Sequence, residues 1–507
     1  MKILVYSELS NSVYRVGHEA QLLALAEKLA DRQHQIVLVA SPGENLAKTD
    51  APVSETIEIF KFPSNRVECL SLLENIEKYL AGEQLALVPK VEGDFAYFVE
   101  DIRTVDSLLI IENEALSSRD SAAIYERAAL VAVAKHLGKP VVFSSQVVGS
   151  PLSQADEMVL ARTYSRADRV GVADERSRDW CAEHGIRASA SLDLATLFNP
   201  GQRLLDGSEY FDFIGGIGEL PDTYVSVSLS DLSEQQIALA ATALDRLHAQ
   251  TRLCIVFVPH QSNPLTQDGD VALHRKVAAR MWSPTVVAPA IHADQAAMLH
   301  HGAAFTLTTS FRAAALSLGQ GVPAYGLYTG PDSYHSFYGM LSNFGLQDFI
   351  APLNLLGSET VHASLREMAE HFYRGLYPAL REQSQKLRDF AQSWWNAVDD
   401  TLSGERVARM PLPAIPAAEP LKAGEGSSWR SDLAMFNSMT LELMNRAALA
   451  EVETEVTLGW SAIYERERDF ALQRAREAER ALSERESSNL AEAEPSKAGF
   501  GRLFGRS

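Results

Sequence analysis

Cys254-Ile-Val-Phe-Val-Pro-His-Gln261 is an apolar run closed by a proline and two polar residues, and downstream come Thr308-Thr-Ser-Phe-Arg312, an Ala-rich segment and Gly321-Val-Pro323. A buried strand, a polar turn and a small-residue helix, in that order, predict the second half of a doubly wound α/β domain. Polar residues collect where strands end and helices begin, and in open parallel sheets ligands bind there. The stretch points to a cleft.

Working outward, strand and helix alternate through the first 200 residues. Ile3-Leu-Val-Tyr6 reads as a buried strand, Leu22, Leu23, Leu25, Ala26 and Leu29 form a helical stripe, and Gln35-Ile-Val-Leu-Val-Ala40 starts a second strand. Residues 107–112 and 140–144 repeat the strand theme, the latter behind a helix over 122–137 that stops at Gly138. A second series runs through Tyr224-Val-Ser-Val-Ser-Leu229, residues 253–258, 285–287, 304–307 and 324–328, with a helix over 234–250. Such alternation implies parallel strands covered by helices on both faces.

Asn199-Pro-Gly-Gln-Arg203 and Gly215-Gly-Ile-Gly-Glu-Leu-Pro221 are rich in breakers and mark a hinge. The predicted organisation is two Rossmann-like domains, 1–205 and 222–402, facing a cleft in the manner of the glycosyltransferase-B architecture. Trp394 and Trp395 are expected to dock the closing helices on the body. Residues 403–428, with Pro411, Pro413, Pro416 and Pro420 among Ala, Gly and Ser, read as a linker. Residues 429–486 carry an apolar stripe, Leu449, Val452, Val456, Trp460 and Ile463, opposite a face dense in Arg and Glu, which predicts a helical hairpin or coiled-coil arm. Residues 487–507 read as a disordered tail.

A length of 507 residues suits two cores plus an appendage. The net charge of -20 argues against nucleic acid as the main partner, since phosphate binding concentrates Lys and Arg. Cys69, Cys181 and Cys254 lie far apart, without metal-type spacing, and are expected as free thiols. The amino terminus lacks the apolar centre of a signal peptide, and no run is long enough to span a bilayer. A cytoplasmic location is the expectation.

Several positions could carry chemistry. Gly17-His18-Glu19-Ala20 opens the first long helix after the first strand, where backbone N–H groups can hold an anion or simply start a helix. His260 follows a buried strand, the place of a general base, a phosphate ligand or a loop hydrogen-bonder. Arg312 begins a tightly packing helix, and its guanidinium suits either a two-pronged clamp on carboxylate or phosphate or a structural salt bridge. Asp174-Glu-Arg-Ser177 has the pattern of an N-terminal cap with an acidic first turn. Zinc spacings, P-loops and nucleophile elbows are not found in the sequence.

Three segments carry a family resemblance. They are Gly138-Lys-Pro-Val-Val-Phe-Ser-Ser-Gln-Val-Val-Gly-Ser-Pro151; Ala167-Asp-Arg-Val-Gly-Val-Ala-Asp-Glu-Arg-Ser177 with His184-Gly-Ile186 and Asp193-Leu-Ala195; and the core from Val258-Pro-His-Gln261 through Gly321-Val-Pro323 to Asn343-Phe-Gly-Leu346. Over roughly residues 1–400 the chain resembles the polysaccharide pyruvyl transferases. The resemblance implies transfer of a pyruvyl group from phosphoenolpyruvate to a sugar of a cell-surface glycan or its precursor, with no metal or other cofactor. It implies Arg312 and His260 as catalytic residues, Gly17, His18, Ser310 and Gln261 at the donor, and Gln146, Gly149, Asp174, Glu175 and Ser177 at the acceptor. Peripheral contact with membrane-bound glycan assembly and a homo-oligomer through the arm are the expected associations.

The departures are specific. Where the family usually has Arg-Leu-His before the Ala-rich helix this chain has Ser310-Phe311-Arg312, Ala173 stands where an Arg usually precedes Asp-Glu, and a Gly-Asp has become Gly17-His18. Fewer arginines mean less charge for a trianionic donor. Two alternatives stay open: a nucleotide-sugar-dependent glycosyltransferase of the same architecture, and a catalytically silent scaffold in surface-polysaccharide assembly.

Overall fold

The computed structural model describes the chain except residues 8–13, 30–33, 41–51, 61, 64, 84–88, 112–114, 201–219, 264–265, 374–376, 405–412, 421–427 and 493–507. The first sheet holds β1 (Lys2–Tyr6), β3 (Gln35–Ala40), β4 (Val53–Glu58), β5 (Ser107–Ile110), β6 (Val141–Gln146), β7 (Arg169–Val172) and β8 (Ala188–Ala190). Its order is β4-β3-β1-β5-β6-β7-β8, all parallel, with Val5 opposite Leu38 on one side and Leu109 on the other. The second sheet comprises β9 (Tyr224–Ser228), β10 (Cys254–Phe257), β12 (Thr285–Val287), β13 (Phe305–Thr308), β14 (Ala324–Tyr328) and β15 (Ile350–Pro352). It runs β12-β10-β9-β13-β14-β15, again all parallel. The central strands are buried almost throughout because helices cover both faces, with Ser226, Ser228, Thr306 and Thr308 standing among the apolar residues of β9 and β13.

A third pairing joins the two halves: β2 (Tyr14–Arg15) and β11 (Gln261–Ser262) form a two-stranded antiparallel ladder, Arg15 opposite Gln261. One apolar core also runs from Ile3, Val5 and Leu22 of the first half to Val225, Leu307 and Leu316 of the second. The hinge expected between Asn199 and Pro221 lies mostly outside the described residues.

Where the sequence predicted closing helices over 359–402, two form, Glu359–Tyr373 and Tyr377–Leu402. The second crosses back onto the first sheet. Trp394 and Trp395 are both 1 % exposed, and Trp394 Nε1 donates to Ser144 Oγ at 2.9 Å. Asp399 meets His34 Nε2 at 2.7 Å, and Thr401 Oγ1 accepts from Arg169 Nε at 3.0 Å.

The arm is neither a hairpin nor confined to 429–486. Helix Trp429–Glu492 is unbroken and takes in the first residues of the expected tail; the rest of that tail, 493–507, lies outside the described residues. Its first half straps the body. Trp429 donates to Glu367, Asn437 Nδ2 donates to Ile350 O, Asn445 Oδ1 accepts from Ser150, and Glu455 pairs with Arg66 at 3.3 Å. Farther on, Leu458, Trp460 and Tyr464 are exposed, so only part of the predicted stripe docks. Among the described residues no helix is long and apolar enough to cross a membrane. All three cysteines are free thiols.

Candidate functional site

The carboxyl ends of β1 and β10 meet through the β2–β11 ladder, so the loops that follow them belong to one site. Helix Val16–Leu29 starts there, with the Val16 N–H donating to His260 O at 3.0 Å. Helix Phe311–Gly319 starts there too, capped by Ser310, whose Oγ accepts from the Ala313 N–H at 3.4 Å. A Cβ on Gly17 would overlap Cβ, Cγ and Cδ of Arg312, so only glycine lets the arginine stem lie on the first turn of the other domain's helix. Arg312 is 8 % exposed and His18 is wholly buried. The structure therefore gathers Gly17, His18, His260, Gln261, Ser310 and Arg312 from both domains.

His260 is held differently from a surface base. Its ring is 2 % exposed, and its Nε2 lies 2.8 Å from His300 Nε2, which in turn reaches Ser226 and Thr306 through Nδ1 at 3.0 and 3.2 Å. An Nε2 to Nε2 bond needs one donor and one acceptor, so the two rings cannot both be protonated. Burial, then the neighbouring His300 and His274, press the pKa of His260 well below its usual 6.5. The backbone of 260–261 is fixed by Asp270, whose Oδ2 accepts from the N–H groups of His260 and Gln261 at 2.9 and 2.7 Å while Oδ1 accepts from Ser230 Oγ at 2.8 Å. Burial raises Asp270 to about 6.

The expected acceptor residues form a second group. Asp174 caps helix Glu175–Glu183, accepting from the Ser177 N–H at 2.9 Å and Oγ at 2.6 Å, and the Ser177 Oγ accepts from the Val148 N–H at 2.9 Å. Burial pushes the Asp174 carboxyl upward, against the pull of those Ser177 bonds. Gln146 is buried and donates to Ser144 O at 2.8 Å, and Gly149 donates to Leu116 O at 2.7 Å. Glu175 stands apart, its side chain 80 % exposed and paired with Arg178 at 2.8 Å.

Asp332 was not anticipated from the sequence, yet it ties the domains here. It accepts from Ser117 Oγ at 2.8 Å and from the Ser150 N–H at 3.2 Å. Burial raises its pKa, while the Ser117 and Ser150 bonds and then Arg119 and Arg176 lower it. The available signal was Gly330-Pro331-Asp332, a proline and an acid in the first turn of helix Pro331–Ser342.

Beside this group lies a cavity of about 510 Å³, lined from the first domain by Asp174, Arg176 and Arg178, from the second by Tyr334, His335 and Tyr338, and roofed by residues 414–418. A separate gap of about 10 Å³, room for no more than one water, lies between Asp174, Asp193, Phe311 and Asn343, so Asp174 and Asn343 line both spaces. Both groups lie where the two domains meet, the first at Gly17 and Arg312 and the second at Asp332 and Ser117. No cluster of three His, Cys, Asp or Glu side chains able to hold a metal ion occurs among the described residues.

The family model for polysaccharide pyruvyl transferase matches residues 16–331. No curated protein matches the chain. Among solved structures the chain is similar to a putative UDP-N-acetylglucosamine 2-epimerase from Listeria monocytogenes, with 12 % identity and a TM-score of 0.46 over 83 % of this chain and 99 % of that one. It is similar to UDP-GlcNAc 2-epimerase from Neisseria meningitidis bound to UDP-GlcNAc, with 12 % identity and a TM-score of 0.47 over 80 % and 100 %. For MurG of Acinetobacter baumannii the figures are 15 % and 0.42 over 80 % and 99 %.

Proposed function

The chain belongs to the polysaccharide pyruvyl transferase family, and on that footing we propose that it transfers a pyruvyl group from phosphoenolpyruvate to a sugar of a cell-surface glycan or its precursor. The observation that carries the reading is the junction of Arg312 with Gly17, where a guanidinium and two helix starts from different domains converge. A donor bearing a carboxylate and a phosphate needs fixed positive potential in a cleft of low dielectric, and a guanidinium beside helix N-termini supplies it. In the transfer, two acceptor hydroxyl oxygens bond to C2 of the donor, one of their two protons ends on C3 to make a methyl group, and the other leaves on the phosphate as the C2–O bond breaks. His260 serves as a positioning residue, its carbonyl and the following strand setting the start of helix Val16–Leu29.

The tight gap between Asp174 and Phe311 and the helical strap over both domains favour a second reading, a catalytically silent scaffold. A thermal-shift titration separates the readings. Millimolar phosphoenolpyruvate is expected to raise the melting temperature by several degrees, since ligand at about 100-fold its dissociation constant contributes about 2.7 kcal/mol. Stabilisation by a nucleotide sugar instead would move the protein to glycosyl transfer. No shift with any of these ligands would leave the scaffold.

A further inference from the structure

The 510 Å³ cavity beside the Asp174 group falls within the size range of small-molecule sites and is built mainly from residues that no expectation had assigned. Tyr334 and Tyr338 stand one turn apart on helix Pro331–Ser342, their rings stacked at 5.6 Å and 22°. Tyr338 lines the cavity and is 44 % exposed, offering an apolar face with a polar tip. Hydrogen-bonding groups surround that platform: Arg176, Arg178, His335 and Asn343.

Charge decides what the cavity takes. Arg176 and Arg178 are matched by Asp174 and Glu175 on the same wall, with Arg178 already paired to Glu175. The wall is balanced, unlike the arginine and helix starts at Gly17, so it does not select an anion. The roof is a stretch of small residues, 414–418, and the carbonyl of Pro416 accepts from Gln383 Nε2 at 2.9 Å. An aromatic platform, balanced polar groups and a fixed roof suit a flat polyhydroxylated ring.

We propose that this cavity is a carbohydrate subsite that takes an uncharged sugar ring of the glycan acceptor, with Tyr338 as its platform and residues 414–418 as its cover. As an acceptor site it rests on the transferase reading; Asp174 and Asn343 line both this cavity and the small gap at Phe311, the chain neighbour of Arg312.

Saturation-transfer NMR on the full chain tests it with three probes: methyl β-galactoside, methyl α-mannoside and the methyl β-glycoside of N-acetylglucosamine. At least one should receive saturation, and its signal should fall about fivefold in Tyr338→Ala, the share of an aromatic contact. Ala417→Trp, on an exposed part of the roof, should suppress it by blocking the cavity without touching the core. Absence of transfer to all three probes, or transfer that survives both substitutions, would overturn the subsite. Phosphoenolpyruvate protection, read in parallel on the unaltered chain, reports the donor reading on its own, so sugar binding without that protection leaves the cavity standing while the pyruvyl donor falls.

Discussion

Trp394→Ala is expected to lower stability by about 3–5 kcal/mol, the usual cost of truncating a fully buried tryptophan. The indole is 1 % exposed and donates to Ser144 Oγ at 2.9 Å, at the end of β6. A Cβ on Gly171 would collide with the ring, so β7 carries glycine where the helix comes closest. Truncation therefore leaves both an apolar void and a buried hydroxyl short of a donor. It also loosens the helix that returns from the second domain to the first. Trp282, 70 % exposed, is the same-residue control, and Trp282→Ala should cost about 0.5 kcal/mol or less. Equal urea midpoints for the two variants would show that the crossing helix does not bind the domains.

The second large effect is acid lability. Burial holds His274 and His300 at about 3 and His260 well below 6.5, so the folded chain keeps three imidazoles neutral that the unfolded chain protonates. A folded pKa below the unfolded one gives stability that is complete above about pH 6.5 and is lost as the pH falls towards 3. Asp270 works in the opposite sense: burial raises it to about 6, so its own contribution is present at low pH and lost as the pH rises through 6. Within this cluster three groups outweigh one. At about 1.4 kcal/mol per pH unit for each proton, the three imidazoles lose about 6 kcal/mol between pH 7.5 and 5 and Asp270 returns about 1, a net loss on the order of 5 kcal/mol. Denaturant titrations at the two pH values check this, and His300→Asn should flatten the dependence by about two-fifths. A midpoint that does not move with pH would mean that these imidazoles are hydrated.

Most of the architecture was readable because a parallel sheet writes itself as apolar runs: residues 3–6, 36–39 and 255–258 are buried on both faces and needed no partner information, and 224–229 differs only in two buried serines. What escaped notice lacked that signal. β4, Val-Ser-Glu-Thr-Ile-Glu, is an exposed edge strand, and β2 and β11 are two residues each, defined only by meeting one another. The arm looked irregular because its docked face serves two surfaces in turn. Trp429 and Leu433 bury against the second domain, while Ala448 and Val452 come down in the half that reaches Arg66 and Ser150. Leu441 and Met444 pack between them, a spacing of fours and threes that follows a straight helix rather than a strict heptad seam.

The site was legible residue by residue but not as a pairing. Gly17 and Arg312 were each notable for their place at a helix start, yet nothing local in a sequence says that one makes room for the other. His260 follows Val258-Pro259 in the manner of a surface loop residue, and only the fold reveals that His300 takes its ring inward. Asp332 offered only the proline and acid of a helix start, and Tyr338 gave no signal beyond an ordinary amphipathic helix.

The central claim is that Arg312, lying on Gly17, anchors an anionic donor between the domains. Calorimetric titration of phosphoenolpyruvate into the unaltered chain and into Arg312→Ala tests it most directly. Loss of a charge-assisted, two-pronged contact should weaken binding by about 10- to 100-fold, and Arg312→Lys should recover only part of it because an ammonium cannot reproduce the fork. Equal affinity in the unaltered chain and Arg312→Ala, or no binding heat in either, would contradict the account.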